Sequence, residues 1–418
     1  MSPLSSFVSS PKHALPTSPR RLVKPLRRAH DLDFERARRA AQRRGRKRRQ
    51  QVQKLVLTLG MPLGALSLWM GARAMASYRS VWLGGPSIQA GISCQNSPVA
   101  VASSWFFASE EGSVWRADTK TTAPQKVWRG TFPSSPQVVG VSGGVIIAGG
   151  DGTLASLDTQ GRMRWSVKHS GSLFPRPALL QNGASALIVG GDDAGRVWAR
   201  DARDGKTLWS QDAGVPIGEG VTATPWGVVV PLLGHTTSRG GLRCFAGEGG
   251  QVKWSFPANP RDRAAGTAIP RFDAATNRVF WCNDLGAVFA LDARTGSKIW
   301  KSFVAPRAGA RNAVVLRASP VLVNGVLVVG GNDGGLRAFD ARDGHALWTR
   351  WLGQSLSEPL GKARLGNRIV VVAGAKPVVL VDAQSGQLVR QLGAGVVGWN
   401  GREFAASDEV GTWHFWAS

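Results

Sequence analysis

The chain has 418 residues and a formal net charge of +25, with 52 glycines, 17 tryptophans and three cysteines. That length holds a domain with a large core plus extra segments, and abundant glycine beside β-branched runs predicts short strands and tight turns. Cys94, Cys244 and Cys282 form no CxxC or CxxCH pattern, which excludes zinc, haem and thiol-redox motifs. They read as small buried residues, with a Cys244–Cys282 bridge between neighbouring repeats as the alternative.

In chain order, residues 1–54 come first. They hold 16 Lys/Arg against 3 Asp/Glu, so half of the charge excess lies in a short tail. The run Arg43-Arg44-Gly45-Arg46-Lys47-Arg48-Arg49 cannot bury itself and is expected to be solvated or to lie on an anionic surface. The tail is read as mostly disordered and cytoplasmic, with a basic helix open over the proline-free residues 34–54. Nucleic acid is the weaker candidate partner, because such runs beside an apolar segment mark membrane orientation.

Residues 55–72 are 18 positions without a charge. As a helix they span about 27 Å, near the lower limit for a bilayer crossing. With Lys54 and the basic tail in front, residues 55–77 are expected to be a transmembrane signal anchor. The N-terminus then stays cytoplasmic and the bulk of the chain is exported, as in a bacterial inner-membrane protein with a periplasmic domain. Two rivals remain. One is a signal peptide cleaved near Ala74-Met75-Ala76, and the other is an organelle transit peptide in the Ser- and Arg-rich first 30 residues. Cys94, preceded by Gly91-Ile92-Ser93, lies far from the apolar run, so no lipobox is visible.

Residues 78–418 repeat. A tryptophan, usually four residues after a turn glycine, recurs at Trp82, Trp128, Trp165, Trp209, Trp254, Trp300 and Trp348, with Arg390 in the eighth register. The unit Gln137–Lys168 reads as four strands, Val138–Val141, Val145–Ala148, Thr153–Asp158 and Arg162–Val167. Four short strands repeated at about 40 residues are the signature of a propeller blade. A turn aspartate ends the third strand at Asp118, Asp158, Asp201, Asp292, Asp340 and Asp382, where it can accept from turn N–H groups. The last hairpin, Glu403 to Trp416, has no outer strand behind it, and Trp82 has no hairpin in front. The prediction is all-β: an eight-bladed propeller whose last blade borrows Ser80–Gly84 as its fourth strand. The tryptophans are assigned to packing between blades.

The stretch Gly286-Ala-Val-Phe-Ala-Leu-Asp-Ala-Arg-Thr-Gly-Ser-Lys-Ile-Trp300 resembles the PQQ-like repeat of quinoprotein-type propellers. The resemblance covers about 340 residues in eight copies. It implies one of two branches. One comprises dehydrogenases that hold pyrroloquinoline quinone with calcium, whose alcohol-oxidising members carry an adjacent Cys-Cys pair absent here. The other is noncatalytic and BamB-like, a scaffold branch of outer-membrane assembly. The second is preferred, with no enzyme activity, cofactor or metal expected. A ligand-sensing ectodomain of a membrane complex is a third reading.

The chemistry-bearing residues are sparse. Six histidines show no metal-ligand spacing, and there is no GxSxG, P-loop or HExxH signature. His169 and His235 are expected to be solvated loop residues. Asp192-Asp193 and Asn332-Asp333 are expected to cap turns. One constellation points to binding: Arg176, Arg271, Arg317 and Arg364 recur where the chain returns to begin an inner strand, and Arg261, Arg263, Arg307, Arg311 and Lys362 lie in the connections leading there. At one mouth of a central channel they would focus their field on an anionic ligand or an acidic protein partner. The bland alternative is that they bond carbonyls or pair with Glu219, Asp273 and Glu358.

Overall fold

The computed structural model describes Ser87–Gln89, Cys94 and most of the chain from Pro98 to Ala417, leaving out 119–123, 129–131, 174, 183–184, 235–239, 258–264, 307–312, 357–359, 366–367, 374–377, 393–396, 400–402 and 408–411. The tail, the apolar segment 55–72 and Trp82 lie outside the described residues, as do His235, Arg261, Arg263, Arg307, Arg311 and Glu358. No helix among the described residues is long and apolar enough to cross a membrane.

Within the described residues the strands form eight four-stranded antiparallel sheets. Seven are meanders of consecutive strands. The second runs Gln137–Val141, Gly144–Ala148, Thr153–Asp158 and Met163–Lys168, close to the boundaries expected from sequence. The exception is the sheet made from Val397–Trp399, Glu403–Ser407 and Thr412–Ala417, whose fourth strand is Ser87–Gln89. Ser87 pairs with His414 and Gln89 with Thr412. A strand from before the first sheet therefore completes the last, but it is Ser87–Gln89 and not the expected Ser80–Gly84. The inner strand Val99–Val101 of the first sheet also lies beside the inner strand Val397–Trp399 of the last.

The core lies between sheets. Leu187, Val189 and Ala199 of the third sheet pack with Val228, Val230 and Phe245 of the fourth. Val326, Val328 and Ala338 of the sixth pack with Val371, Val379 and Val381 of the seventh. Second strands are therefore apolar on both faces: Ser104–Ala108, Gly227–Leu232 and Val326–Gly330 are buried throughout. Outer strands pack one face only, so Lys298–Phe303 buries Trp300 and leaves Lys298, Ile299, Lys301 and Phe303 exposed.

The tryptophans make the joints. The indole Nε1 of Trp300 donates to the Ala341 carbonyl of the next sheet at 3.1 Å. Trp165 donates likewise to Ala202, Trp209 to Gly247, Trp254 to Ala293 and Trp348 to Ala383. In each case the acceptor follows the position of the turn aspartate, and the turn glycine lies flat on the ring. Gly344 has φ +79°, and a Cβ there would stand 2.6 Å from the Trp300 ring. Only glycine fits both the left-handed backbone and the contact. A β-bulge sits immediately before the tryptophan: Ala338 faces Trp348 while Phe339 faces Ala346. The same shift occurs at Trp165, Trp209, Trp254, Trp300 and Arg390. The extra residue twists the outer strand and aims the ring across the gap.

Trp128 departs from this pattern. Val127, one residue earlier, lies under the turn glycine Gly161, where a Cβ would stand 2.3 Å from it. Trp128 instead stacks on Phe132, with centroids 5.3 Å apart. Its unit has Pro124 where the others have the turn glycine, so the outer strand enters in a different register.

The turn aspartates accept from the backbone as expected. Asp158 Oδ1 takes the N–H groups of Gln160 and Arg162 at 2.9 and 2.8 Å, and Asp292 Oδ1 those of Arg294 and Thr295 at 3.0 and 2.8 Å. Asp201 and Asp382 do the same, while Asp118 stands 3.8 Å from Arg116. The Arg342 side chain and N–H hold the Asp340 carboxyl down at about 2, and Arg203 lowers that of Asp201. A depressed carboxyl contributes stability above its unfolded value, about 3.9, and loses it as pH falls through the folded value. The urea midpoint is therefore expected to fall between about pH 4 and pH 2, less steeply in Asp340→Asn. An equal slope in the variant would show that this cap adds nothing.

Candidate functional site

Antiparallel meanders put the turn between second and third strands at the same end of a sheet as the connection to the next inner strand. At that end the connections are tied to one another. Arg176 N donates to the Glu219 carbonyl at 2.7 Å, and Val221 N to that of Arg176 at 3.1 Å. Glu219 N donates to the Thr267 carbonyl at 2.9 Å, and Thr222 Oγ1 to that of Pro270 at 2.5 Å. Ile269 N donates to Ser319 Oγ at 3.1 Å, and Leu360 N to the Ser319 carbonyl at 3.4 Å. This is a hydrogen-bonded collar running from the third sheet to the seventh.

The collar gathers part of the expected arginine set. Arg176 lies two residues before its inner strand Ala178–Asn182, and Arg317 four before Val321–Val323. Arg271 is the first residue of Arg271–Asp273, and Arg364 the fourth of Gly361–Leu365. Their offsets differ because the connections differ in length, so they do not share one register. Arg271 and Lys362 are exposed. Burial lowers the Lys362 pKa, the Arg271 charge lowers it further, and Asp273 opposes. The two positive charges therefore oppose each other although they belong to the fifth and seventh sheets. Arg317 Nε stands 3.9 Å from Asp284 Oδ2, and burial raises the Asp284 carboxyl against that charge. Thr267 Oγ1 and Asp284 Oδ1 are buried without a hydrogen-bond partner.

The second-to-third turns support the collar from behind. Asp192 Oδ1 accepts from Ala194 N and Arg196 N at 3.0 and 2.9 Å, as Asn283 does from Leu285 and Ala287. Asp193 and Asn332 reach the connections, accepting from Ser172 N and Val315 N. Asp333 pairs with Arg337. Asp192 and Asp333 cap their turns, as expected, whereas Asp193 and Asn332 tie the turns to the connections instead.

His169 is not a solvated loop residue. Its side chain is 9% exposed, and its Nε2 stands 2.9 Å from Asp192 Oδ2, which also accepts from Arg196 Nε at 2.9 Å. Arg200 Nη2 lies 3.4 Å from His169 Nδ1, and its guanidinium sits 5.7 Å from the Trp198 centroid. An arginine beside Nδ1 makes that nitrogen the acceptor and Nε2 the donor to Asp192. The sequence signal was weak, because the histidine follows an outer strand and its partner lies 23 residues on.

The three cysteines are free and buried, so Cys244 and Cys282 form no bridge. Burial pushes the Cys94 and Cys244 thiols up to about 12 and the Cys282 thiol upward as well, which leaves them inert as nucleophiles. Calcium needs several converging oxygen ligands. Among the described residues the group with metal-ligand spacing is Asp340, Asp343 and His345, in a third-to-fourth turn at the end opposite the collar. Arg342 already occupies both Asp340 oxygens. The collar's own carboxylates do not gather into such a set, so its described residues do not fit a calcium-held quinone.

Comparison with known proteins fits this architecture. A family model described as outer membrane protein assembly factor BamB matches residues 106–255 and again 238–396. Outer membrane protein assembly factor BamB of Burkholderia pseudomallei is 29% identical over 297 residues, covering 68% of this chain and 72% of that protein. Its counterpart in Moranella endobia is 26% identical, covering 63% and 70%. Among solved structures, quinohemoprotein alcohol dehydrogenase from Comamonas testosteroni superposes with a TM-score of 0.59 at 14% identity, covering 82% of this chain and 77% of that one. At that identity the likeness is one of fold.

Proposed function

The chain belongs to the PQQ-like repeat β-propeller family described as outer membrane protein assembly factor BamB, and from that premise we propose a noncatalytic scaffold that serves outer-membrane protein assembly. It is an eight-bladed ring closed by Ser87–Gln89, held in the periplasm by a single crossing at residues 55–77, and it binds a protein partner through the collar end. The eight sheets and the neighbouring first and last inner strands support the closed ring. The charge-free run behind a basic tail supports the crossing.

The observation that carries the reading is the collar. It is a rigid, hydrogen-bonded rim that presents Arg271, Arg317 and Lys362 from three sheets, and cations on such a rim steer and orient an acidic partner. Deleting the gene in its native cells should lower the level of folded outer-membrane β-barrels. Wild type should restore it, and Arg271→Gln/Arg317→Gln should not, although it reaches wild-type abundance. Unchanged barrel levels in the deletion strain would remove the assembly role, and full rescue by the double variant would remove the collar from it. Purified protein supplied with pyrroloquinoline quinone and calcium is expected to show no dye-linked alcohol oxidation.

A further inference from the structure

Two buried N–H donors lack an acceptor in the interface between the second and third sheets. Trp198 and Arg200 belong to the strand Arg196–Asp201. Two residues apart, they share one face of it, with Cα atoms about 7 Å from each other. That face meets the second sheet, since Trp198 packs with Ile146, Ala148 and Leu154. Trp198 is 1% exposed and Arg200 9%. Trp198 Nε1 and Arg200 Nε are both closed off from solvent, and neither has a hydrogen-bond partner. The two side chains are neighbours: the Arg200 guanidinium carbon stands 5.7 Å from the Trp198 ring centroid, and the His169 ring 5.8 Å from the same indole.

The groups around them are already engaged. Arg200 Nη1 donates to the Gly205 carbonyl at 2.9 Å, and Nη2 faces His169 Nδ1 at 3.4 Å. Asp192 is held by His169 and Arg196, and Asp151 by Lys168. Among the described residues the Arg200 charge is therefore left without a counter-ion. A buried cation lacking its partner is costly, and so is a buried donor left unpaired. Water answers that need poorly. A water accepting from both donors brings two O–H groups of its own that need acceptors, and the orphaned atoms here are donors only. A small anion accepts from every side and supplies the missing charge.

We infer that Arg200 and Trp198 form a binding site for a small inorganic anion of the size of chloride, set between the second and third sheets. Arg200 gives the charge and its Nε–H, and Trp198 gives the indole N–H. The size follows from the burial: both donors face the closed interior, where a larger oxyanion or an acidic side chain of a partner does not fit. Bound there, the ion ties a strand of the third sheet to the connection that carries His169. That connection continues through Ser172, itself bonded to Asp193 and to the Gly150 carbonyl, toward the collar at Arg176.

The test titrates chloride against gluconate, an anion too large to enter, with urea denaturation of the full-length protein in detergent as the readout. Fixed ionic strength holds general screening constant. A ligand that binds only the folded chain stabilises it, so each tenfold rise in chloride above the dissociation constant should multiply the folding constant by about ten. Arg200→Met should abolish this dependence, whatever its own midpoint. Trp198→Phe keeps an aromatic ring and loses the N–H, so it should raise the half-saturating chloride by ~10–100-fold, the range for losing a hydrogen bond to a charged group. Arg162→Gln, which removes an exposed arginine, should leave the dependence intact. Crystals grown in bromide should show an anomalous peak in contact with Arg200 Nε and Trp198 Nε1.

A wild-type midpoint that ignores chloride, an unchanged dependence in Arg200→Met, or density at the site without a bromide signal, the mark of a water, would each overturn the inference. The gene-deletion experiment decides the scaffold reading by itself, since it does not depend on this site.

Discussion

Trp300→Ala is expected to lower the unfolding free energy by about 3–5 kcal/mol, the range for truncating a buried aromatic. Trp300 is 7% exposed. It tilts against Phe280 at 6.0 Å, covers Gly344 and holds the Ala341 carbonyl. Truncation opens a cavity between two sheets and leaves a buried acceptor without its donor. Trp300→Phe keeps most of the area and loses only the N–H, so its loss should be smaller. Guanidinium denaturation followed by far-UV circular dichroism measures both. Equal, small losses would mean that the ring does not couple the sheets.

Asp192→Ala should be comparably severe, about 3–5 kcal/mol, because removing one partner of a buried charged network leaves the others unpaired. The Asp192 side chain is fully buried and accepts from Ala194 N, Arg196 N, Arg196 Nε and His169. Asp192→Asn separates the two roles. Asn283 fills the equivalent position in the fifth sheet and caps the same two N–H groups, so asparagine keeps the turn. It loses only the charge facing Arg196 and His169, and a smaller drop in the denaturation midpoint is expected. If alanine and asparagine were equivalent, the cap would be worth nothing.

The repeat was legible because each joint needs a fixed set of residues: an aspartate to accept in the turn, a glycine with positive φ, and a tryptophan four residues on. At Trp128 the glycine is missing, and the tryptophan leaves the joint to Val127. The closing strand was foreseen but placed too early. Trp82 suggested an outer strand at Ser80–Gly84, whereas the short pairing strand is Ser87–Gln89, and nothing in three residues marks it as a strand. The bulge before each tryptophan has no signature, since its residues are as varied as Leu208, Lys253 and Ile299.

The arginine set was only partly legible. Sequence shows an arginine near the start of four inner strands, but offset along a connection depends on its length and backbone path. Arg176, Arg271 and Arg317 therefore sit at different steps. The His169–Asp192 contact is a three-dimensional fact, since it joins the connection after the second sheet to a turn of the third.

The central claim is that the collar end receives a protein partner. A photocrosslinking residue at Arg317, on that end, compared with one at Arg342, on a turn at the opposite end, tests it directly in native membranes. The account predicts a discrete adduct from position 317 that contains an envelope protein and is weakened by Arg271→Gln, with none from position 342. Adducts from 342 alone, or the same adducts from both positions, would contradict it.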